Sequence, residues 1–384
     1  MGRIFYMPPT IISGADSLQT AGERLCMGQK ALIVTGNIVR RQPCMAALTA
    51  LLTAHGVDYA VFSDIQGEPT DKMGVAGAAA YRENACDFMI AVGGGSPIDL
   101  MKAISVILRY PETPLRAFAG RVITGPFVPM AAIPTTAGTG SEATMFTVIT
   151  DTETDVKLLL KGPELIPSVA VVDPAFSATA PPTVTAYTGL DALTHAVESY
   201  TSRLAQPLTD TLSRSAVQRI MACLPRAFRD GGDMEARTQM SLAALEAGVC
   251  ITNASVTLVH GLSRPIGALF HVPHGLSNAM LLPDCLEFAL PGAPERFAAL
   301  GRAVGAAAAD ADDDTAARTF LDAVRTLCAI CEVPSPAEYG ITREAFFAKI
   351  EKMSADAIAS GSPGNTIRAV TEADCAAIYR KLWA

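Results

Sequence analysis

DFMIAVGGGSPIDLMKAISVIL, residues 87–108, decides the fold class. Its opening residues form an apolar, β-rich run, its closing twelve carry helical periodicity, and three consecutive glycines stand between them. A strand that passes through a tight turn directly into a helix is half of a βαβ unit. The pattern recurs on both sides. ALIVT (31–35) precedes a helical stretch at 40–55, and DYAVF (58–62) precedes a helix at 71–84. MAAIPTT (130–136) and SVAVVDP (168–174) read as further strands. Strands separated by helices predict a parallel sheet. ATMFTVITDTETDVKLLLK interrupts the series as a β-hairpin with a polar turn at 151–155.

Beyond Asp173–Pro174 the periodic segments are almost all helical: 183–201, 209–229, 234–252, 255–269, 313–331, 342–358 and 371–382. The spacing predicts an α/β domain over 1–180 and a helical domain over 181–384, with the boundary in SATAPPTVT. Ligands favour the places where domains meet.

Composition excludes several function classes. Half of the 384 residues are apolar, 18% are charged and the net charge is −8. Nucleic acid is not expected as a partner, because phosphate neutralisation needs clustered Lys and Arg. MGRIFYMPPT lacks the apolar core of a secretory signal, and no run of 18 apolar residues predicts a membrane span. Nine scattered Cys fit reduced thiols and a cytoplasmic location. The CxxC of Cys328 and Cys331 reads as two buried positions of one helix, and GAAAADADDDTAAR (305–318) as an acidic helix start or surface loop.

In VGGGSPID (92–99) three glycines allow close backbone approach, Ser96 is placed to cap the following helix, and Pro97 suits its first turn. Free N–H groups and the helix dipole favour a phosphate there. IPTTAGTGSEAT (133–144) adds four Thr, one Ser and two Gly at the end of another strand. Two such loops predict a nucleotide or pyrophosphate site.

The chain has five His. His55 reads as a surface residue near a helix end. In GLDALTHAVESY (189–200), Asp191 and His195 stand four apart and share a helical face, as a private hydrogen bond or half of a metal site. His260 and His274 lie fourteen residues apart in one later stretch, with His271 between them. Asp191, His195, His260 and His274 together supply one oxygen and three imidazole nitrogens. That set suits Fe(II) or Zn(II) with a position left for a substrate oxygen. A structural zinc site would recruit thiolates, and no Cys stands close to these His in sequence.

GGGSPID, IPTTAGTGSEAT, GLDALTHAVESYTS and NASVTLVHGLSRPIGALFHVPHGLSNAMLLP, in this order, resemble the iron-containing (group III) alcohol dehydrogenases from about residue 5 to the C-terminus. The resemblance implies an α/β N-terminal dinucleotide-binding domain plus an all-α C-terminal metal-binding domain, the fold shared with dehydroquinate synthase, with a cleft between them. It puts the metal ligands on Asp191, His195, His260 and His274. It puts pyrophosphate contacts on Gly93, Gly94, Gly95 and Ser96, contacts nearer the nicotinamide on Asp99, Thr135, Thr136 and Thr139, and one more on Lys157 in the hairpin. It also implies a homodimer.

Three positions depart from the family pattern. Gly36, in IVTGNIVRR, stands where NAD-preferring members carry an Asp that binds the adenosine ribose. Its absence removes a repulsion against a 2′-phosphate, which Arg40 or Arg41 could reach, so NADP is expected alongside NAD. Arg264 replaces a His that relays protons in diol-oxidising members, and Arg cannot serve as a base. His271 is then the remaining His close to a ligand in sequence. Phe146 and Ile251 match positions lining the substrate pocket, which becomes apolar and a poor fit for a very small diol. The reading is a metal-dependent NAD(P) alcohol dehydrogenase or aldehyde reductase acting on a small-molecule alcohol or aldehyde. A hydroxy-acid or oxo-acid dehydrogenase, with Arg264 pairing the carboxylate, is the alternative within the fold. A dehydroquinate-synthase-like cyclase is opposed by the GTGSE run and the Asp–His pair, and a non-catalytic scaffold by the four ligands.

Overall fold

The computed structural model describes residues 2–65, 67–154 and 156–383. The last position of the turn read at 151–155, and the outermost positions of the two expected domains, lie outside the described residues. The chain forms two compact units, Tyr6–Ala180 and Pro181–Ala384, the second joined by the first residues of the chain. Residues 2–5 therefore leave the α/β domain to which the sequence reading assigned them. The Arg3 guanidinium donates to the Ala205 carbonyl, and Gln206 Nε2 donates to the Ile4 carbonyl at 3.4 Å.

The α/β unit holds β1 (Thr10–Ser13), β2 (Lys30–Thr35), β3 (Asp58–Phe62), β4 (Phe88–Gly93), β5 (Met130–Pro134), β6 (Phe146–Asp151), β7 (Val156–Lys161) and β8 (Val169–Val172). Six of them form one sheet in the order β1-β8-β5-β4-β2-β3, every pair parallel. β4 is buried at every position. Its alternate side chains face two separate cores: Met89 and Ala91 pack with Ile98, Met101 and Ile104, while Phe88 and Ile90 pack with Leu18, Leu48 and Leu52. Helices thus cover both faces, which is why the central strands are apolar without alternation. β6 and β7 pair antiparallel as the expected hairpin. β1 is an additional four-residue edge strand, too short to register as a periodic run.

The helical unit is built around Pro182–Tyr200, which is buried at every position from Gly189 to Tyr200. A helix buried all round needs an apolar surface or paired polar groups. Here Asp191, Thr194, His195, Glu198 and Ser199 are among the buried positions. Helices Pro207–Arg229, Met234–Ala254 and His274–Ala289 pack around it. Helices His274–Ala289 and Pro294–Ala303 add to those read from sequence, the first with Pro283 inside it. The helix expected over 342–358 is two pieces, Arg343–Phe347 and Ile350–Ala359. Cys328 and Cys331 are both buried and free, at the end of helix Asp313–Ile330, whose N-cap is Asp312. Among the described residues no single helix is long and apolar enough to cross a membrane.

Gly275 marks the tightest packing near the ligand-bearing helix. A Cβ there would stand 2.4 Å from the Tyr187 carbonyl oxygen and 3.5 Å from Asp191 Cβ. Alanine normally favours a helix over glycine by about 1 kcal/mol. Gly275→Ala should reverse that sign and destabilise by about 1–3 kcal/mol through overpacking. Thermal unfolding checks this; an unchanged or raised Tm contradicts the close approach.

Candidate metal centre and cofactor loops

Helix Pro182–Tyr200 brings Asp191 and His195 to one face, His260 sits in the first turn of helix Leu258–Phe270, and His274 opens helix His274–Ala289. Asp191 Oδ1 lies 3.8 Å from His195 Nε2 and 3.7 Å from the Nε2 atoms of His260 and His274. Donors bound tetrahedrally at about 2.0–2.2 Å stand about 3.4 Å from one another. Each imidazole nitrogen therefore stands near ligand spacing from the carboxylate, and donor atoms of Asp191, His195 and His260 all lie within 4.8 Å of one another. Asp191, His195 and His260 are buried, whereas the His274 side chain is 40% exposed, so the set opens on that side.

One imidazole, that of His260, is held in orientation by a carboxylate. His260 Nδ1 lies 2.6 Å from Glu198 Oε2. Glu198 Oε1 meanwhile accepts from Thr257 Oγ1 at 2.9 Å and from the Val259 amide at 2.6 Å. A carboxylate so engaged accepts a hydrogen bond from the Nδ1–H of His260 and leaves the Nε2 lone pair facing Asp191. Burial, then His195 and His274, push the His260 pKa well below its ordinary value, which keeps the ring neutral as a metal ligand requires. Burial raises Asp191, but the three His and Asn278 outweigh it and hold the carboxyl below its usual range. Asn278 Nδ2 donates to Asp191 Oδ1 at 2.7 Å and lies 3.1 Å and 3.3 Å from the Nε2 atoms of His260 and His274. One amide thus lies against three of the four candidate donor atoms. The donor set fits a divalent metal.

Glu198 and Asn278 are absent from the sequence reading. Their signal was spacing: Glu198 follows His195 by three residues and Asn278 follows His274 by four, each on its ligand's helical face. Among the described residues, His271 makes no hydrogen bond or ion pair with the four donor residues. It is exposed, takes a left-handed backbone (φ 54°) at the end of helix Leu258–Phe270, and its carbonyl accepts from Tyr339 Oη at 3.4 Å.

In the α/β unit the two glycine-bearing loops meet. The Thr135 amide donates to the Gly93 carbonyl at 2.9 Å. A Cβ on Gly94 would stand 3.3 Å from Thr136 Oγ1, and one on Gly95 3.0 Å from Thr139 Cγ2. Gly93 has φ 152°, and a Cβ there would stand 2.6 Å from Pro97. Gly94 is the N-cap of helix Gly95–Arg109, so Ser96 lies inside the first turn and does not cap it as expected. The helix starts earlier because glycine satisfies the backbone geometry that the turn demands. Asp99 Oδ2 accepts from the Val148 amide at 2.8 Å, tying the helix to β6. Lys157 Nζ pairs with Glu68 Oε1 at 2.7 Å. Gly36 has open space around a Cβ position, and Arg40 Nη1 donates to Ser63 Oγ at 3.1 Å. Phe146 is half-buried at the start of β6, and Ile251 is buried in helix Met234–Ala254.

Lys102 is a further residue that pattern reading passed over. It is fully buried, and its ammonium donates to the carbonyls of Ser141, Thr144 and Phe146 and to Thr144 Oγ1 at 2.7–2.9 Å. Burial drives its pKa down to about 8, against Asp99 and Glu142, while burial pushes Glu142 up to about 7. The ammonium clamps the segment that ends the threonine-rich loop.

Two family models cover nearly the whole chain: iron-containing alcohol dehydrogenase over residues 8–174, and the C-terminal part of the Fe-containing alcohol dehydrogenase family over 185–383. The chain belongs to the iron-containing alcohol dehydrogenase family. It is 40% identical over 304 residues to a probable alcohol dehydrogenase, EutG, of Escherichia coli K12, covering 79% of this chain and 77% of that one. It is 34% identical to the 1,3-propanediol dehydrogenase of Klebsiella pneumoniae, over 99% of each. A crystal structure of 1,3-propanediol oxidoreductase superposes with a TM-score of 0.95 at 33% identity, covering 100% of both chains. The chain is thus a metal-dependent oxidoreductase of this family.

Exchanging Glu198 should loosen the metal without dismantling the fold. Glu198→Gln is expected to lower metal affinity by about 10–100-fold, the usual cost of losing a ligand's orienting partner. Competition against a chromophoric chelator measures it; wild-type affinity would contradict the role assigned to the His260–Glu198 contact.

Proposed function

We propose that the chain interconverts an alcohol and its aldehyde with NAD or NADP, using iron(II), with zinc(II) as the second choice, held by Asp191, His195, His260 and His274. Three imidazole nitrogens at 3.7–3.8 Å from one carboxylate oxygen carry this reading. When bound, a divalent metal supplies Lewis acidity toward a substrate oxygen, and a nicotinamide carries the hydride.

The chain's own residues do the rest. Glu198 fixes the tautomer of His260, Asn278 steadies Asp191, and the exposed side of His274 leaves an approach for the substrate oxygen. Gly93, Gly94, Gly95 and Ser96 offer backbone N–H groups to a pyrophosphate at the start of helix Gly95–Arg109, as helix N-termini commonly do. Asp99, Thr135, Thr136, Thr139 and Lys157 complete the cofactor contacts in this reading. Gly36 leaves room for a 2′-phosphate, with Arg40 and Arg41 following it in the turn after β2. Phe146 and Ile251 favour an apolar substrate body. We place the enzyme in the cytoplasm as a homodimer without nucleic-acid or membrane partners, a reading supported by its net charge of −8 and nine free Cys.

Treating the protein with chelator should abolish oxidation of short primary alcohols, and Fe(II) or Zn(II) should restore it. The reduction of aldehydes should run with NADPH as well as with NADH. Activity that survives complete metal removal would refute the proposal, and rejection of NADPH would refute the reading of Gly36.

A further inference from the structure

Arg264 follows His260 by four residues on helix Leu258–Phe270, about 6 Å along its axis, so the two side chains leave the same face. The residue is half-buried. Among the described residues its guanidinium has one hydrogen bond, from Nη1 to Ser362 Oγ at 2.9 Å, and that acceptor is neutral. None of the ion pairs among the described residues includes it. Glu198 attracts it from a distance, but both oxygens of that carboxylate are already engaged by Thr257, Val259 and His260.

Charge makes the omission informative. A guanidinium withdrawn from water without an anion is costly. Asp191 and Glu198 together balance a divalent ion, and the three imidazoles bind it neutral. Arg264 then leaves one positive charge unanswered within one helical turn of a ligand. A planar fork of N–H donors matches carboxylate and sulfonate oxygens, and it is wasted on a neutral chain.

We infer that Arg264 determines specificity by binding an anionic group on the substrate, so that this enzyme acts on short hydroxy acids or hydroxysulfonates and their aldehyde forms. The inference rests on the function proposed above and narrows its substrate class. In the oxidative direction the terminal carbinol loses a hydride to NAD(P)⁺ and a proton to solvent, and the acid group is unchanged.

The test compares metal-loaded wild type with Arg264→Gln and Arg264→Lys, all checked for equal metal content and Tm. The substrates are 3-hydroxypropanoate, 4-hydroxybutanoate, 5-hydroxypentanoate and 2-hydroxyethanesulfonate, each beside the neutral alcohol of the same length. Wild type should favour at least one anion over its neutral partner in kcat/KM by about tenfold or more, as a site built for a polar group does. Arg264→Gln should cut that ratio by about 10–100-fold, with Arg264→Lys between, because Lys keeps the charge and loses the fork. Butanoate should raise the Tm of wild type and not that of Arg264→Gln. Preference for neutral alcohols at every length, or an equal loss on both classes, overturns the inference while leaving the oxidoreductase reading intact. A rise confined to the KM for NAD(P) would assign the guanidinium to cofactor phosphates and also overturn it. Failure of every alcohol would instead sink the proposed function itself.

Discussion

A carboxylate buried in the middle of a helical bundle is the constraint on which the C-terminal unit depends. Asp191 is 2% exposed, and a buried charge of this kind survives only with partners on every side. Its partners come from three helices: His195 from its own, His260 from Leu258–Phe270, and His274 with Asn278 from His274–Ala289. The helix that carries Asp191 also carries Glu198, which orients His260 across the bundle. One helix therefore provides two of the four candidate donors and the anchor of a third, and its neighbours must approach closely enough to supply the rest. Gly275, set against the backbone of Tyr187, is the residue that permits the approach.

The α/β unit solves a related problem with the opposite sign of charge. Lys102 is buried among backbone carbonyls that hold its ammonium in a four-acceptor cage. That cage fixes the 141–146 segment against the helix beginning at Gly95, and the preceding threonine-rich loop rests on Gly94 and Gly95. The glycine turn is thereby backed by contacts that lie behind it rather than in it. In both units a buried ion gathers polar groups from several elements and so gives rigidity to a loop or a donor set.

Much of this was legible in the sequence, and for identifiable reasons. Buried parallel strands must be apolar throughout, so β2, β4, β5 and β8 stood out as unbroken runs. A metal site that keeps a position for a substrate oxygen draws largely on imidazole and carboxylate donors, so a chain with five His exposed its candidate donor set. What escaped were features whose signal is local rather than periodic. β1 is four residues long, helix His274–Ala289 carries Pro283 inside it, and the cap of helix Gly95–Arg109 is a glycine without a side chain to announce it. Glu198, Asn278 and Lys102 escaped because polar residues at helical spacing look like a solvated face until burial is known. His271 has the right chemistry at close sequence spacing, and it stands exposed at the left-handed end of its helix.

The central claim is that one oxygen and three imidazole nitrogens share a single ion. X-ray absorption at the iron or zinc edge of the metal-loaded protein tests this most directly. The account predicts a first shell of nitrogen and oxygen scatterers alone at about 2.0–2.2 Å, with outer-shell scattering from three imidazoles. A sulfur scatterer at about 2.3 Å, or a shell without imidazole, would contradict it.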